Sequence, residues 1–383
     1  MKLWIVTLMT LAGLGVGAGP ALAQRHTLGT VNAETPEGAL LQQIGQAEDE
    51  TKKLALMEQF ATQFPKHEGI GWIYEQMQAA YLKAGQPDKA IDIGGKLVAM
   101  DADDLDAAHQ NLKASEAKKD PDLILKWAGE TSKIAQKMAA SKQPTDADEV
   151  EAWKKSVDFA KQLDTYTEYS LYAAAAQSTD PRKRIELGEA LSARNPKSQY
   201  MPQVIQVEFA SYRQLGDNDK SLAFAEKSLE TDQSSEDILA FVADQYVQKK
   251  RDPDKVVAYS AKIVELMDTK PAPAGVSEGD WAKKKTTMSG LAHYMSGTTL
   301  YGQKKLAPAD KELRAALPLV EGNEQLKGAT LFYAGLANYD MKNIPDAIKF
   351  NQQCAAIKSP FQAKASANLK VMQSQAPAAA GKK

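Results

Sequence analysis

The sequence predicts an all-α protein built of antiparallel helix hairpins. Three observations carry that prediction. One kind of turn recurs, as Gly85-Gln86-Pro87-Asp88-Lys89-Ala90, Gly216-Asp217-Asn218-Asp219-Lys220-Ser221 and Lys342-Asn343-Ile344-Pro345-Asp346-Ala347. Each copy follows an aromatic residue (Tyr81, Tyr212, Tyr339) and leads into a helix whose first buried position is small: Ala90, Ser221 or Ala347. Strand signals are nearly absent, whereas the strong helix formers Ala, Leu, Lys, Glu and Gln are abundant. Finally, the apolar periodicity comes in stretches of about 12 to 16 residues separated by short turns, the rhythm of a repeat array.

Taken in order, the first hairpin is expected over 37–64, ended by Pro65, and the second over 69–101 with its turn at Gly85. The third covers 104–140 and turns at Lys119-Asp120-Pro121-Asp122. A polar interruption, Ser141 to Asp146, starts a fresh helix, which Thr145 or Asp146 could cap while Glu149 reaches back. That helix passes Trp153 and Phe159 into a fourth hairpin, 164–195, which turns at Ser178-Thr179-Asp180-Pro181 and is stopped by Pro196. The fifth and sixth are 200–231 and 236–267, the latter turning at Arg251-Asp252-Pro253-Asp254. A Pro-rich linker, 269–276, separates this block (37–268) from a carboxy-terminal set of hairpins over 277–375. Ser277 is the expected cap of a long helix reaching about Gly302, which opens a seventh hairpin ending near Val320. The eighth spans 324–357, and a last helix from Pro360 closes the array. The tail, 376–383, holds only Ala, Gly, Pro and Lys and is expected to be disordered.

The turns have a common physical logic. Asp or Asn before the second helix can accept from its free backbone N–H groups, and Pro in the first turn gives up a donor that has no partner there. Gly85 and Gly216 can take the left-handed conformation that ends the first helix. The small residue then lets the two helices approach, beside the upstream tyrosine. One hairpin cannot bury its apolar face alone, so such units stack.

These residues resemble tetratricopeptide repeats, whose unit is a hairpin of about 34 residues with small and aromatic residues at set places. The best match runs from Gly328 to Pro360, with Gly335, Tyr339 and the Lys342–Ala347 turn; 200–231 and 71–101 follow it closely. The pattern also departs from the family. Tyr74, Ile205 and Leu331 stand where it has Trp, Gln78 and Phe209 where it has a small residue, and Asn338 and Asn351 at places normally apolar. The resemblance implies a right-handed superhelical solenoid whose concave face is lined by the first helix of each hairpin. Carried over to the last two hairpins, it implies partner-binding groove positions at Tyr294, Tyr301, Phe332 and Tyr339. The alternative for these rings is inter-repeat core. The earlier hairpins give a mixed, polar groove, with Glu75, Ala79, Lys83, Gln206, Ala210, Arg213, Asp244 and Gln248 at the corresponding places. The family's carboxylate clamp cannot be assembled from these positions.

Residues 1–23 read as a cleavable signal peptide: Lys2, an apolar stretch from Leu3 to Val16 and Ala21-Leu22-Ala23 before Gln24. The remainder, beginning with a flexible segment over 24–36, is therefore expected to be periplasmic or secreted and of bacterial type. No later stretch approaches the roughly 20 apolar residues of a spanning helix. The formal net charge is only −2, which argues against nucleic acid as a partner. Cys354 is the sole cysteine, so no internal disulfide is available, and it is expected to pack as a small apolar residue.

Catalytic patterns are missing. His26, His67, His109 and His293 have no metal-ligand spacing, and there is no HExxH, CxxC or nucleophile elbow. Ser115-Glu116-Ala117-Lys118 fits Ser-x-x-Lys but has no Lys-Thr-Gly partner, and such a match arises easily in a Lys-rich helix. The reading is therefore a non-enzymatic scaffold or adaptor for a protein partner, with no cofactor and no metal. The alternative is a glycan- or polymer-binding helper of the cell envelope, with Trp281 and Lys283-Lys284-Lys285 as its natural site.

Overall fold

The computed structural model describes residues 25–29 and 31–375. The expected signal peptide and the expected disordered tail lie outside the described residues. Those described form 17 α-helices and no strand. The chain divides between Gly216 and Asp217 into two compact units.

The amino-terminal unit holds α1 (Pro36–Gln46), α2 (Glu50–Gln63), α3 (Ile70–Lys83), α4 (Pro87–Met100), α5 (Leu105–Lys118), α6 (Pro121–Ala139), α7 (Ala147–Gln177), α8 (Pro181–Arg194) and α9 (Met201–Gln214). The carboxy-terminal unit holds α10 (Asn218–Thr231), α11 (Glu236–Lys249), α12 (Pro253–Thr269), α13 (Glu278–Gly302), α14 (Leu306–Ala316), α15 (Glu324–Asp340), α16 (Ile344–Ala355) and α17 (Gln362–Gln375). Within each unit a helix packs chiefly on its neighbours in sequence, the arrangement of a helical-hairpin solenoid. The starts of α3 and α5, at 70 and 105, stand 35 residues apart, close to the spacing of tetratricopeptide-like units, whereas those of α11 and α13, at 236 and 278, stand 42 apart with the Pro-rich segment between them. Helices α9 and α10, expected as one hairpin, fall in different units. The Pro-rich segment 269–276 joins α12 to α13, which pack together in one unit.

The helix starts follow the expected chemistry at most turns. Asp120 accepts from Leu123 N at 3.1 Å, Asp146 from Asp148 N at 3.0 Å, and Asp217 from Lys220 N at 3.0 Å. Ser277 accepts from Asp280 N at 3.1 Å and donates to Asp280 Oδ2 at 2.8 Å. Three turns differ. Neither Gln86 nor Asn343 makes a side-chain cap, and Asn343 instead donates to Asn338 Oδ1 at 2.9 Å. Asp252 has φ +47° and also makes no cap; its carboxylate accepts from Arg251. The helix begun at Ala147 runs unbroken for 31 residues because neither Gly nor Pro interrupts it before Ser178.

The small residues perform as expected: Ala90, Ser221 and Ala347 are fully buried. Around the first of them, Ile44, Phe60, Ile73, Met77, Tyr81 and Leu97 form one apolar cluster. Each large side chain buried there contributes about 1.5–3 kcal/mol. In the carboxy-terminal unit Leu313, Leu331, Ala334, Phe350, Cys354 and Ala365 form the corresponding cluster. Cys354 packs as a small apolar residue; its thiol points at Gly328 O at 3.2 Å, and burial pushes it up to about 11.

The segment before α1 touches this framework. Arg25 pairs with Asp101, His26 Nε2 lies 3.3 Å from Asp104 Oδ2, and Leu28 packs on the α1–α4 core.

Candidate functional site

The carboxy-terminal unit brings together most of the rings chosen from the sequence. Tyr294 and Tyr301 lie two turns apart on α13, and Phe332 and Tyr339 two turns apart on α15, so each pair shares a helix face. Tyr333, which the sequence reading passed over, connects them. Its ring centroid is 5.9 Å from that of Tyr301 and 5.7 Å from that of Phe332, edge-on in both cases. Phe361, also passed over, closes the set at 5.0 Å from Phe332 and 6.2 Å from Tyr333. Tyr294, Phe332, Tyr333 and Phe361 are half-buried and pack partly on the core around Leu331 and Phe350, and the half-buried Tyr301 reaches the set through Tyr333. Offset and edge-on pairs of this kind contribute about 0.5–1.5 kcal/mol each beyond their area.

Polar groups rim the set. The Tyr301 hydroxyl donates to Asp340 Oδ2 at 3.1 Å and is pushed up to about 12, by burial first and by that carboxylate second. The Tyr294 hydroxyl is likewise pushed up to about 12 by burial, with the Tyr333 and Asp244 charges adding. The Tyr339 ring carries the Lys342 ammonium 5.7 Å from its centre. A doublet of aromatics at 332–333 and an aromatic directly after Pro360 were the available signals for Tyr333 and Phe361.

A second aromatic set lies in the amino-terminal unit, where α7 meets the residue that precedes α9. Tyr172 and Tyr200 stack at 5.6 Å with their planes 10° apart, and Tyr169 stands 5.8 Å from Tyr200. Tyr169 is 44% exposed, which makes it an open ring face rather than core. Beside it lies a cleft of roughly 780 Å³ lined by Glu116, Asp122, Tyr166, Tyr169, Ser170 and Lys183 among others. Glu116 accepts from the Tyr166 hydroxyl at 2.6 Å and from Ser170 Oγ at 2.5 Å. Burial, then the Glu116 hydrogen bond, holds the Tyr166 hydroxyl well above the ordinary phenol range.

Two other sequence candidates turn out to be structural. Trp281 is 4% exposed and donates through Nε1 to Lys270 O at 3.3 Å. Lys284 does not face solvent freely either: it bonds Glu236 at 2.7 Å and Asp237 at 2.9 Å. Although desolvation works against it, the bonds from Lys270 and Lys284 hold the buried Glu236 carboxyl below its ordinary value. Ser115 donates to Asn111 O at 2.7 Å while Lys118 pairs with Asp88, so the Ser-x-x-Lys residues are engaged elsewhere.

Among the described residues no helix is long and apolar enough to cross a membrane. No protein-family model matches the chain, and no curated protein does. Among solved structures, the chain is similar to the TPR domain of P58(IPK), at 16% identity over 89% of this chain and 98% of that one, with a TM-score of 0.25. It is also similar to yeast Tom70, at 9% identity over 90% of this chain and 97% of that one, with a TM-score of 0.23. At such TM-scores the likeness adds nothing to the architecture, which rests on the hairpins themselves.

Proposed function

We propose that this chain is an exported, non-catalytic scaffold that captures a peptide or helical segment of a partner protein in the cell envelope. The observation that carries the reading is the convergence of Tyr294 and Tyr301 from α13, Phe332 and Tyr333 from α15, and Phe361 from the turn before α17 into one half-buried aromatic surface. Rings held in place by a core present large contact area with little left to order, the character of interaction hot spots. The Tyr301–Asp340 pair at the rim offers an acceptor for a partner's backbone or basic side chain.

The test is cross-linking capture from an envelope fraction by the protein and by Tyr301→Ala/Phe361→Ala, with helicity checked by circular dichroism. Loss of one or two specific proteins, by about 30-fold or more at unchanged helicity, is expected of hot-spot residues. Equal capture by both would remove the groove assignment. A second reading, glycan or polymer binding, draws on the open Tyr169 ring and the hydroxyl- and carboxylate-lined cleft beside it. Retention on an exopolysaccharide matrix that Tyr169→Ala abolishes would favour it.

A further inference from the structure

The amino-terminal unit contains a meeting of metal-ligating side chains that sequence spacing does not disclose. His26 lies in the segment before α1, Glu75 on α3 and Asp104 at the start of α5. One ligand atom of each lies within 4.8 Å of the other two. We propose that His26, Glu75 and Asp104 form a binding site for a divalent transition-metal cation, with Zn²⁺ as its best-fitting occupant.

The donors are of two chemical kinds and come from three separate elements, which distinguishes the site from a solvated acidic patch. A metal bound at about 2.0–2.2 Å in tetrahedral geometry sets its ligands about 3.4 Å apart. His26 Nε2 and Asp104 Oδ2 are already 3.3 Å apart, long for a charged hydrogen bond but right for two corners of such a shell. Asp104 is held rigidly: its side chain is 3% exposed, and its other oxygen, Oδ1, accepts from Ala107 N at 2.9 Å. One carboxylate oxygen thus fixes the group while the second faces His26, the division of labour seen in oriented metal ligands.

The imidazole has a seat of its own. A Cβ placed on Gly71 would come within 2.6 Å of His26 Nδ1, so the ring can lie against α3 only because that position is glycine. This contact turns Nε2 toward the carboxylates. Glu75, on α3 and half-buried, brings a carboxylate oxygen within 4.8 Å of the other two donors. One imidazole with two carboxylates suits Zn²⁺ better than Ca²⁺, which takes six to eight oxygen ligands. Three protein ligands leave one tetrahedral position for water or a partner's donor.

The experiment is calorimetric titration of the EDTA-treated, purified protein with ZnCl₂ at pH 7, repeated on Glu75→Gln and Asp104→Asn. Asn still caps helix α5, so Asp104→Asn removes charge without removing the cap. One Zn²⁺ per chain and at least about a tenfold loss of affinity in each variant are the expected results. A matching rise in the thermal midpoint with Zn²⁺ should disappear in Glu75→Gln, which leaves every helix cap intact. No saturable binding up to about 1 mM, or equal affinity in the parent and both variants, would overturn the site and leave His26 as a purely structural tie. Tighter binding of Ca²⁺ than of Zn²⁺ would also overturn it, because the imidazole would then not be a ligand.

Discussion

Each unit buries amides where helix hairpins of this kind usually place small apolar residues, but the two solutions differ. In the amino-terminal unit the Gln78 and Asn111 side chains meet at 3.0 Å, and Gln78 also donates to Ala107 O at 3.0 Å. Gly94 on the intervening helix makes the room: a Cβ there would lie 2.1 Å from one amide and 2.2 Å from the other. In the carboxy-terminal unit Asn351 bonds back to Ala347 O at 2.8 Å and receives Asn368 at 3.3 Å, with Gly335 opposite. There the three atoms nearest a Cβ all belong to Asn351, the closest at 2.4 Å. Volume has been exchanged across the helix pair in both cases, the large amide on one side facing glycine on the other. The amino-terminal junction is closed from both sides, and the other can yield on one.

Gly94→Ala should therefore be the most damaging single change, since it overpacks the site and forces two buried amides off their partners. The expected loss is about 3 kcal/mol, read from urea unfolding. Its neighbour sharpens the point. Nothing lies within 4 Å of a Cβ on Gly95, so Gly95→Ala should gain about 0.5–1 kcal/mol by helix propensity alone. A loss at both positions would mean that α4 tolerates no side chain on either face, and the explanation by amide crowding would fail.

The units also differ in how they hold histidine. His109 on α5 is 8% exposed, edge-on to Tyr166 at 5.5 Å, and burial followed by the Lys113 charge depresses its imidazole from 6.5 to about 4. His293 on α13 instead faces Glu312 at 2.8 Å. Below pH 6.5 the unfolded chain takes up a proton at His109 that the folded chain refuses until about pH 4. Stability should therefore fall as the pH drops across that window, by at most about 3 kcal/mol. Hydrogen exchange of α5 amides at pH 7 and pH 4.5 reads it, and His109→Gln should remove that part of the loss. An unchanged acid response in His109→Gln would assign the loss to other groups.

Gly335→Ala should cost less than either, about 1–2 kcal/mol, because Asn351 can turn toward Asn368. Equal losses for Gly94→Ala and Gly335→Ala would erase the difference between the junctions. Half of this arrangement was legible beforehand. Gln78, Asn338 and Asn351 stand out in the sequence as departures from an apolar pattern, but their compensations lie on other helices. Asn338 is satisfied by Asp310 at 2.6 Å and by Arg314 at 3.3 Å, both from α14. Hairpins and turns could be read because their signals are local: an Asp before Pro, a small residue after it, an aromatic before the turn. The aromatic surface was read in part, since residues two turns apart on one helix share a face. Tyr333 and Phe361 join it only through packing between helices, and the His26–Glu75–Asp104 meeting spans 78 positions from His26 to Asp104, which no periodicity records.

The smallest effect concerns the turns, which reach one backbone conformation with two kinds of residue. Gly85 and Gly216 have φ of +66° and +75°, whereas Lys119, Lys250, Lys304 and Lys342 take φ between +50° and +66° in the equivalent places. A side chain in that region costs about 1–2 kcal/mol, while glycine costs about 0.5–1 kcal/mol in lost freedom of the unfolded chain. The balance favours glycine slightly. Lys250→Gly should thus gain about 0.5 kcal/mol, since the Lys250 N–H bond to Val247 O at 3.2 Å belongs to the backbone and survives. Gly85→Ala should lose about 1 kcal/mol with no steric contribution, because a Cβ there meets nothing within 4 Å. Opposite signs in thermal unfolding would show that the lysines are tolerated in these turns against a backbone preference. A loss in Lys250→Gly would show that the lysine side chain outweighs the backbone preference.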